Sequence, residues 1–262
     1  MQLDVDGRAT YCHTGDAAFD PARPTIVLVH GALNDHSVWL AQSGALAGAG
    51  YAVLAPDLPG HGRSSGPALA SVEALADWLL ALLDAAGAGR AMLAGHSMGS
   101  LIVLEAAQRA PQRVTALALL GATYPMRVAD PLLASALADE GAAIDMVVAW
   151  SHSPSSDPAI ADGARALMRR LAAGSAGHLL HSDLAACNAY ANGAAAAAAI
   201  ACPTVLVMGS MDKMTPPRSA GVLTGAMPHA TVVKVDAGHA MMAEAPAAVR
   251  DALLALASGI KD

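Results

Sequence analysis

One phenylalanine, three tryptophans and four tyrosines are all the aromatic rings this 262-residue chain has, 3% of it. An apolar content of 55% assembled from so few rings rests on alanine and aliphatic side chains, and no uninterrupted apolar run reaches the ~20 residues of a membrane-spanning helix. Cysteine is equally scarce. Cys12, Cys187 and Cys202 are an odd number at wide spacing with no Cys-x-x-Cys, which argues against a disulfide framework and a cysteine metal site and suits a reducing cytoplasm. Cations are also few, 15 Lys and Arg against 22 Asp and Glu for a net charge of −7, so a phosphate backbone is not the expected partner. The doublet Arg169-Arg170 reads as a solvated helix face. Met1 to Asp20 carries Asp4, Asp6, Arg8, His13 and Asp16 where a secretory signal needs a basic start and an apolar block, so none is expected.

What the chain does have is alternation. Leu3–Val5 and Arg8–His13 flank Asp6-Gly7, the signature of a β-hairpin. Apolar runs of strand length follow at Thr25–Val29, Tyr51–Ala55, Ala91–Ala94 and Val114–Leu120, separated by helical stretches at Val38–Leu46, Val72–Ala86 and Met98–Ala110. Strand, helix, strand is a parallel crossover, and its repetition predicts an α/β fold with a mostly parallel sheet. From Thr123 to Cys187 the strand signal disappears. Helical segments Leu132–Glu140, Ala142–Trp150, Ala159–Leu171 and Ala176–Tyr190 replace it, with the polar break Ser151 to Ser156 expected to be mobile. The alternation then resumes with strands Thr204–Met208 and Thr231–Val235 and helices Arg218–Met227 and Ala247–Ala257, while Ala194–Ala199 reads as a short helix. The expected organisation is a core of residues 1–122 and 188–262 with an inserted helical unit at 123–187.

The residues that could carry chemistry fall where these strands end. Ser97 lies in Gly95-His96-Ser97-Met98-Gly99, between a strand and a helix; a sharp turn there holds the serine in a strained conformation, and small residues two positions away let strand and helix approach. His239, after Asp236-Ala237-Gly238, follows the strand Thr231–Val235. Asp212, in Gly209-Ser210-Met211-Asp212, follows the strand Thr204–Met208. Ligand sites of open parallel sheets gather at the carboxyl ends of strands, and Ser97, Asp212, His239 and Gly31 all fall on that edge. A nucleophile, a base and an orienting acid are what acyl transfer requires. Asp236 is a rival acid, but three residues before His239 on the same loop it is expected to point away.

Other candidates have plainer readings. His30 and His96 are expected to be buried supports, and His36 with Asn34 and Asp35 a solvated helix start, with reach to the pocket mouth as the alternative. Asp57 sits in a structural turn. His178 and His181 stand three apart on a helix with no carboxylate or cysteine to complete a metal set. Gly60-x-Gly62 lacks the third glycine and the following helix of a dinucleotide loop. Neither a cofactor nor a metal is expected.

Taken together, Gly95-His96-Ser97-Met98-Gly99, Asp212, His239 and His30-Gly31-Ala32 resemble the α/β-hydrolase-fold serine hydrolases over nearly the whole chain, in that family's order Ser, Asp, His. The resemblance implies that the backbone N–H groups of Ala32 and Met98 form an oxyanion hole, that Ala55 to Ser64 is an architectural turn, and that residues 123–187 cap the site. Leu33, His96, Met146, Trp150 and Ala240 are then the expected pocket residues, with Leu132, Leu133, Val147, Met168 and Leu171 as further apolar candidates. No arginine clamp for a carboxylate stands out. The implied activity is that of a carboxylesterase on small to medium apolar esters. Lactonase and perhydrolase activity share every element, and carbon–carbon bond hydrolysis is the runner-up within the fold, although here Ala32-Leu33-Asn34 and Ala240 replace that group's glycine-rich loop and tryptophan. A hydrolase-fold ligand receptor with negligible turnover is the alternative of another class. Oligomeric state is not readable.

Overall fold

Asp6 and Gly7, at φ 52° and 75°, close the two-residue turn between β1 (Gln2–Val5) and β2 (Arg8–His13), because a tight hairpin of this twist needs two left-handed residues. In the computed structural model, which describes residues 1–175 and 177–259, this hairpin is the edge of an eight-stranded sheet. The sheet continues with β3 (Thr25–Val29), β4 (Ala52–Pro56), β5 (Ala91–His96), β6 (Val114–Leu120), β7 (Thr204–Gly209) and β8 (Thr231–Val235) in the spatial order β1-β2-β4-β3-β5-β6-β7-β8. β2 pairs antiparallel with both β1 and β4; all other pairings are parallel.

Covered on both faces, β3 to β7 are buried at every position but Thr115, which is why they read as nearly continuous apolar runs. Side chains still alternate between faces. Ile26 and Leu28 pack with Trp39, Val249 and Leu253 under α1 (Leu40–Gly48) and the last helix, Pro246–Ser258. Val27 and Val29 pack with Leu79 and Leu101 under α2 (Val72–Ala85) and α3 (Met98–Arg109). The expected helix over 38–46 starts instead as a 3-10 turn, His36–Trp39, capped by the Asp35 carboxylate at Ser37 N. The expected helix over 218–227 likewise opens with a 3-10 turn at Pro217–Ala220.

Between β6 and β7 the chain forms α4 (Asp130–Ala138), α5 (Glu140–Ser151), α6 (Pro158–Gly174), α7 (Leu179–Ala189) and α8 (Gly193–Ala199). The expected start of the fourth of the inserted helices, Ala176, lies outside the described residues. Helices α4 to α7 have their own apolar cluster, including Leu132, Ile144, Val148, Met168, Leu180 and Leu184, and one core residue, Leu33, inserts into it. α8 instead packs on the core with α3 through Ala196 and Ala197. The last three helices are α9 (Gly221–Ala226), α10 (Met241–Glu244) and α11 (Pro246–Ser258). No helix of the described residues is long and apolar enough to cross a membrane.

Candidate active site

β5 ends at His96, α3 begins at Met98, and Ser97 makes the whole turn between them at φ 54°, ψ −119°. Left-handed backbone at a side chain larger than glycine costs about 1–3 kcal/mol and persists only where its surroundings enforce it. Here Ser97 N donates to Leu120 O at 2.9 Å, and Ser97 O accepts from Ser100 N at 2.8 Å and Ser100 Oγ at 2.5 Å. The flanking glycines are a matter of space. A Cβ on Gly95 would lie 2.1 Å from Gly99 O, and one on Gly99 would lie 2.3 Å from Val29 O, both backbone atoms that cannot swing aside. Gly99→Ala should therefore destabilise the fold by about 2–3 kcal/mol and lower Tm by roughly 4–12 °C in a thermal melt. An unchanged Tm would mean that the turn has slack the packing does not suggest.

Asp212 lies in the loop after β7, almost fully buried. Its Oδ1 accepts from Met214 N and Thr215 N, each at 2.8 Å, and its Oδ2 accepts from Thr215 Oγ1 at 2.7 Å and His239 Nδ1 at 2.8 Å. Burial pushes this carboxyl up, but His239 and the donor groups outweigh burial and bring it down from 3.8 to about 2. The bond uses the Nδ1–H of His239, which leaves Nε2 as the ring's acceptor. Gly121, at φ 55°, makes room for that ring: a Cβ there would lie 3.0 Å from His239 Cε1. Asp236, the rival acid, is exposed and accepts instead from Ser210 Oγ at 3.2 Å. Thr215 was not anticipated; a hydroxyl three residues after an aspartate, able to bond it locally, was the available signal.

His96 is the buried support expected of it, donating from Nε2 to the backbone O of His239 at 2.9 Å. Burial and the neighbouring His239 ring, 4.6 Å away between centroids, depress its pKa to about 3, so it stays neutral and does not compete as a base. His30 is fixed as well. Its Nε2 accepts from Leu58 N at 3.0 Å, so Nδ1 carries the proton and donates to Gly31 O at 2.8 Å. In a trans peptide the N–H points opposite to the C=O, so this bond orients the Ala32 N–H. Gly31 brings that peptide against the serine, since a Cβ there would sit 3.1 Å from Ser97 Cβ. Among the described residues neither the Ala32 nor the Met98 N–H has a protein acceptor, and the Ser97 hydroxyl makes no hydrogen bond.

Ser97, His239, Gly31, Ala32, His96 and Ala240 line one cavity of about 610 Å³. Asp212 stands behind His239, and Met98 is buried beneath the turn. Three of the expected pocket residues do not line it. Leu33 is fully buried in the cluster of α4 to α7, and α5 meets the cavity through Val147, Val148 and Ser151, so a rotation of about 100° per residue turns Met146 and Trp150 away from it. The doublet is exposed, as expected of a solvated face, and Arg170 in addition reaches the cavity and bonds Asp35 Oδ2 at 3.1 Å.

The first half of the polar break is held in place, while Pro154 and Ser155 are exposed. Ser151 to Ser153 are buried against the His239 loop, where Ser151 O accepts from Ala240 N at 3.0 Å and Glu244 Oε2 accepts from Ser153 N at 3.0 Å. Asp35, His36 and Asp57 offer ligand atoms within 4.8 Å of one another. Both carboxylates already have hydrogen-bond partners: Asp57 accepts from His36 N, His36 Nδ1 and Arg63 N, and Asp35 from Ser37 and Arg170. Of the helix start His36, Asn34 and Asp35, Asp35 is buried, against the solvated reading, and Asn34 lines the cavity, as the alternative reading had it. Burial pushes the Cys12 thiol up to about 12 and the Cys187 and Cys202 thiols up as well, which leaves no cysteine thiolate nucleophile.

A family model described as the alpha/beta hydrolase fold matches residues 24–142. RutD of Klebsiella pneumoniae, whose name assigns it carbamate hydrolysis, is 33% identical over 84% of this chain and 86% of its own. A pimeloyl-[acyl-carrier protein] methyl ester esterase of Aromatoleum aromaticum is 33% identical over 83% of this chain and 92% of its own. Two longer curated relatives are matched at 47% and 40% identity, and the chain spans only 26% and 30% of their length. Among solved structures, the enol-lactonase of Burkholderia xenovorans LB400 superposes with a TM-score of 0.86 at 24% identity, covering 98% of this chain and 100% of that one.

Proposed function

We propose that this chain, which belongs to the α/β-hydrolase family, is a serine hydrolase that cleaves small to medium apolar carboxylic esters through an acyl-enzyme. The observation that carries this reading is the orientation of His239: Asp212 holds its Nδ1–H, so the free Nε2 lone pair belongs to a ring that shares a cavity with Ser97. Ser97 Oγ attacks the ester carbonyl carbon while its proton passes to His239 Nε2, and the hydroxyl rotates onto the imidazole as substrate enters. The N–H groups of Ala32 and Met98 hold the oxyanion. As the tetrahedral adduct collapses, the C–O bond to the alcohol breaks and the imidazolium returns its proton to the leaving oxygen. Water then attacks the acyl-enzyme by the same route, releasing the acid and restoring Ser97.

The substrate class rests on the cavity. Val147, Ile160, Leu167, Met168 and Leu184 make most of its wall apolar, with Asn34, Ser37 and Arg170 as polar points, and about 610 Å³ suits a small or medium molecule. We read residues 123–187 as a cap on a core of 1–122 and 188–262, because α5 and α6 supply much of that wall. Three unpaired cysteines suit a reducing compartment such as the cytoplasm. The methyl ester esterase named above favours ester substrates, and RutD favours a carbamate as a second reading, since a carbamate carbonyl would pass through the same adduct.

A fluorophosphonate should label Ser97 alone, located by peptide mass spectrometry, and a panel of p-nitrophenyl esters, lactones, amides and carbamates should be hydrolysed fastest at short acyl esters. A labelled but catalytically inert protein would favour the receptor alternative, and a carbamate turned over faster than every ester would replace the substrate class.

A further inference from the structure

Ala32 and Leu33 lie in the loop that leaves β3, and two successive peptide units of that loop are pinned from opposite directions. The Gly31–Ala32 unit is held by His30, a neighbour in sequence. The next unit, Ala32–Leu33, is held at its oxygen by Asn34 Nδ2 at 3.0 Å and at its nitrogen by Asp183 Oδ2 at 2.8 Å. Asp183 belongs to α7, 150 positions further along the chain. Leu33 needs such a clamp. Its φ is 47°, a left-handed conformation that an aliphatic residue does not hold unaided, and its side chain is fully buried among the helices of the insertion.

Asp183 is itself held. The same Oδ2 lies 2.8 Å from His61 Nε2, and His61 Nδ1 faces Pro59 O at 3.1 Å, so both ring nitrogens meet acceptors and both are asked to donate. That is the pattern of an imidazolium. Burial opposes a charged ring, but the Asp183 charge and these hydrogen bonds outweigh it and move the His61 pKa upward, while the neutral His30 ring, at 5.1 Å, and Asp57 are the other groups nearby. Both partners of the pair are about 1% exposed, so neither charge is relaxed by solvent, and removing one leaves the other unpaired.

We propose that Asp183 is a positioning residue for the oxyanion hole: it locks the peptide after Ala32, with His61 as its counter-charge, so that the Ala32 N–H is correctly aimed only when α7 is seated on the core. Resting on the serine-hydrolase reading, this makes the helical insertion part of the transition-state machinery as well as a wall of the pocket. A merely structural Asp183 would contribute to stability and leave the chemistry per folded molecule unchanged. A positioning Asp183 acts on kcat, because the oxyanion exists only after attack.

The test compares wild type with Asp183→Asn and His61→Gln, counting functional molecules by fluorophosphonate titration of Ser97. Per titrated site, Asp183→Asn should lose 10- to 100-fold in kcat toward p-nitrophenyl butyrate with KM within threefold. The affinity of an alkyl trifluoromethyl ketone, whose hemiketal oxyanion would occupy the same hole, should fall in parallel. His61→Gln, which keeps a donor toward Asp183 without the charge, should lose three- to tenfold in kcat in the same pattern and serves if the first variant does not fold. A lowered Tm with kcat and ketone affinity unchanged would assign Asp183 to stability alone and overturn the proposal. A wild-type protein whose Ser97 takes no label would instead overturn the serine-hydrolase reading and the proposal together, so the two failures are told apart in the wild-type lane.

Discussion

Ser97→Ala is expected to lower kcat/KM toward a p-nitrophenyl ester by roughly 10⁴- to 10⁶-fold, the scale on which removal of a serine nucleophile removes covalent catalysis. The fold should be indifferent to the change. The Ser97 hydroxyl has no hydrogen-bond partner among the described residues, so deleting it strands no buried group. The backbone contacts that hold the turn come from the Ser97 amide and carbonyl, which alanine retains, and alanine tolerates φ 54° about as poorly as serine does. Tm should therefore stay within roughly 2 °C, which makes the activity loss readable as chemistry. Residual hydrolysis above a tenth of wild type, in protein free of contaminating esterase, would remove Ser97 from the mechanism.

Asp212→Asn should cost roughly 10³- to 10⁴-fold in kcat near neutral pH, more than a lost hydrogen bond alone would explain. The carboxylate offers two acceptor oxygens, and its Oδ2 selects the Nδ1–H form of His239. An asparagine held by Met214 N and Thr215 N through its oxygen presents an NH₂ toward the ring. The imidazole then moves its proton to Nε2, where it can no longer receive one from Ser97. A loss below tenfold would show that the tautomer is set elsewhere.

The same substitution has a signature in acid. Because the folded-state pKa of Asp212 is depressed to about 2 from 3.8, its ionisation stabilises the fold above the ordinary value, and that contribution fades as pH falls from about 4 toward 2. Urea titrations of wild type should show this component of acid sensitivity. The Asp212→Asn protein should lack it, and an identical pH dependence in both would contradict the depressed pKa.

The parts of the site that were legible in the sequence are those where local backbone geometry constrains residue type. A serine squeezed onto one residue between strand and helix requires glycines at Gly95 and Gly99, because any Cβ there meets a backbone carbonyl. The two-residue hairpin required Asp6-Gly7, and the strands β3 and β6 were readable to the residue because two covered faces leave them almost wholly apolar, with one threonine each, Thr25 and Thr115. The placement of Ser97, Asp212 and His239 after β5, β7 and β8 also follows from chain pattern alone, since each lies just past an apolar run.

Contacts across long sequence separations were not legible. That Leu33, Met146 and Trp150 lie off the cavity was hidden because apolar composition marks the inserted helices without specifying which face of each turns inward. Ser151 to Ser153 looked like a mobile break because Ser, His and Pro are loop residues, yet the loop that carries His239 covers them and satisfies their backbone. The contact of the exposed Arg170 with Asp35 was hidden because the two lie 135 positions apart.

Composition and local pattern thus settled the α/β alternation and which groups stand at the strand ends, because a turn, a strand or a cap constrains only residues a few positions apart. How α5 to α7 seat on the sheet edge, and with it the cavity wall, the Asp35–Arg170 contact and the Asp183 link to the loop of Ala32, depended on the packing of buried surfaces. Such packing brings together residues more than 100 positions apart, and no local periodicity records it.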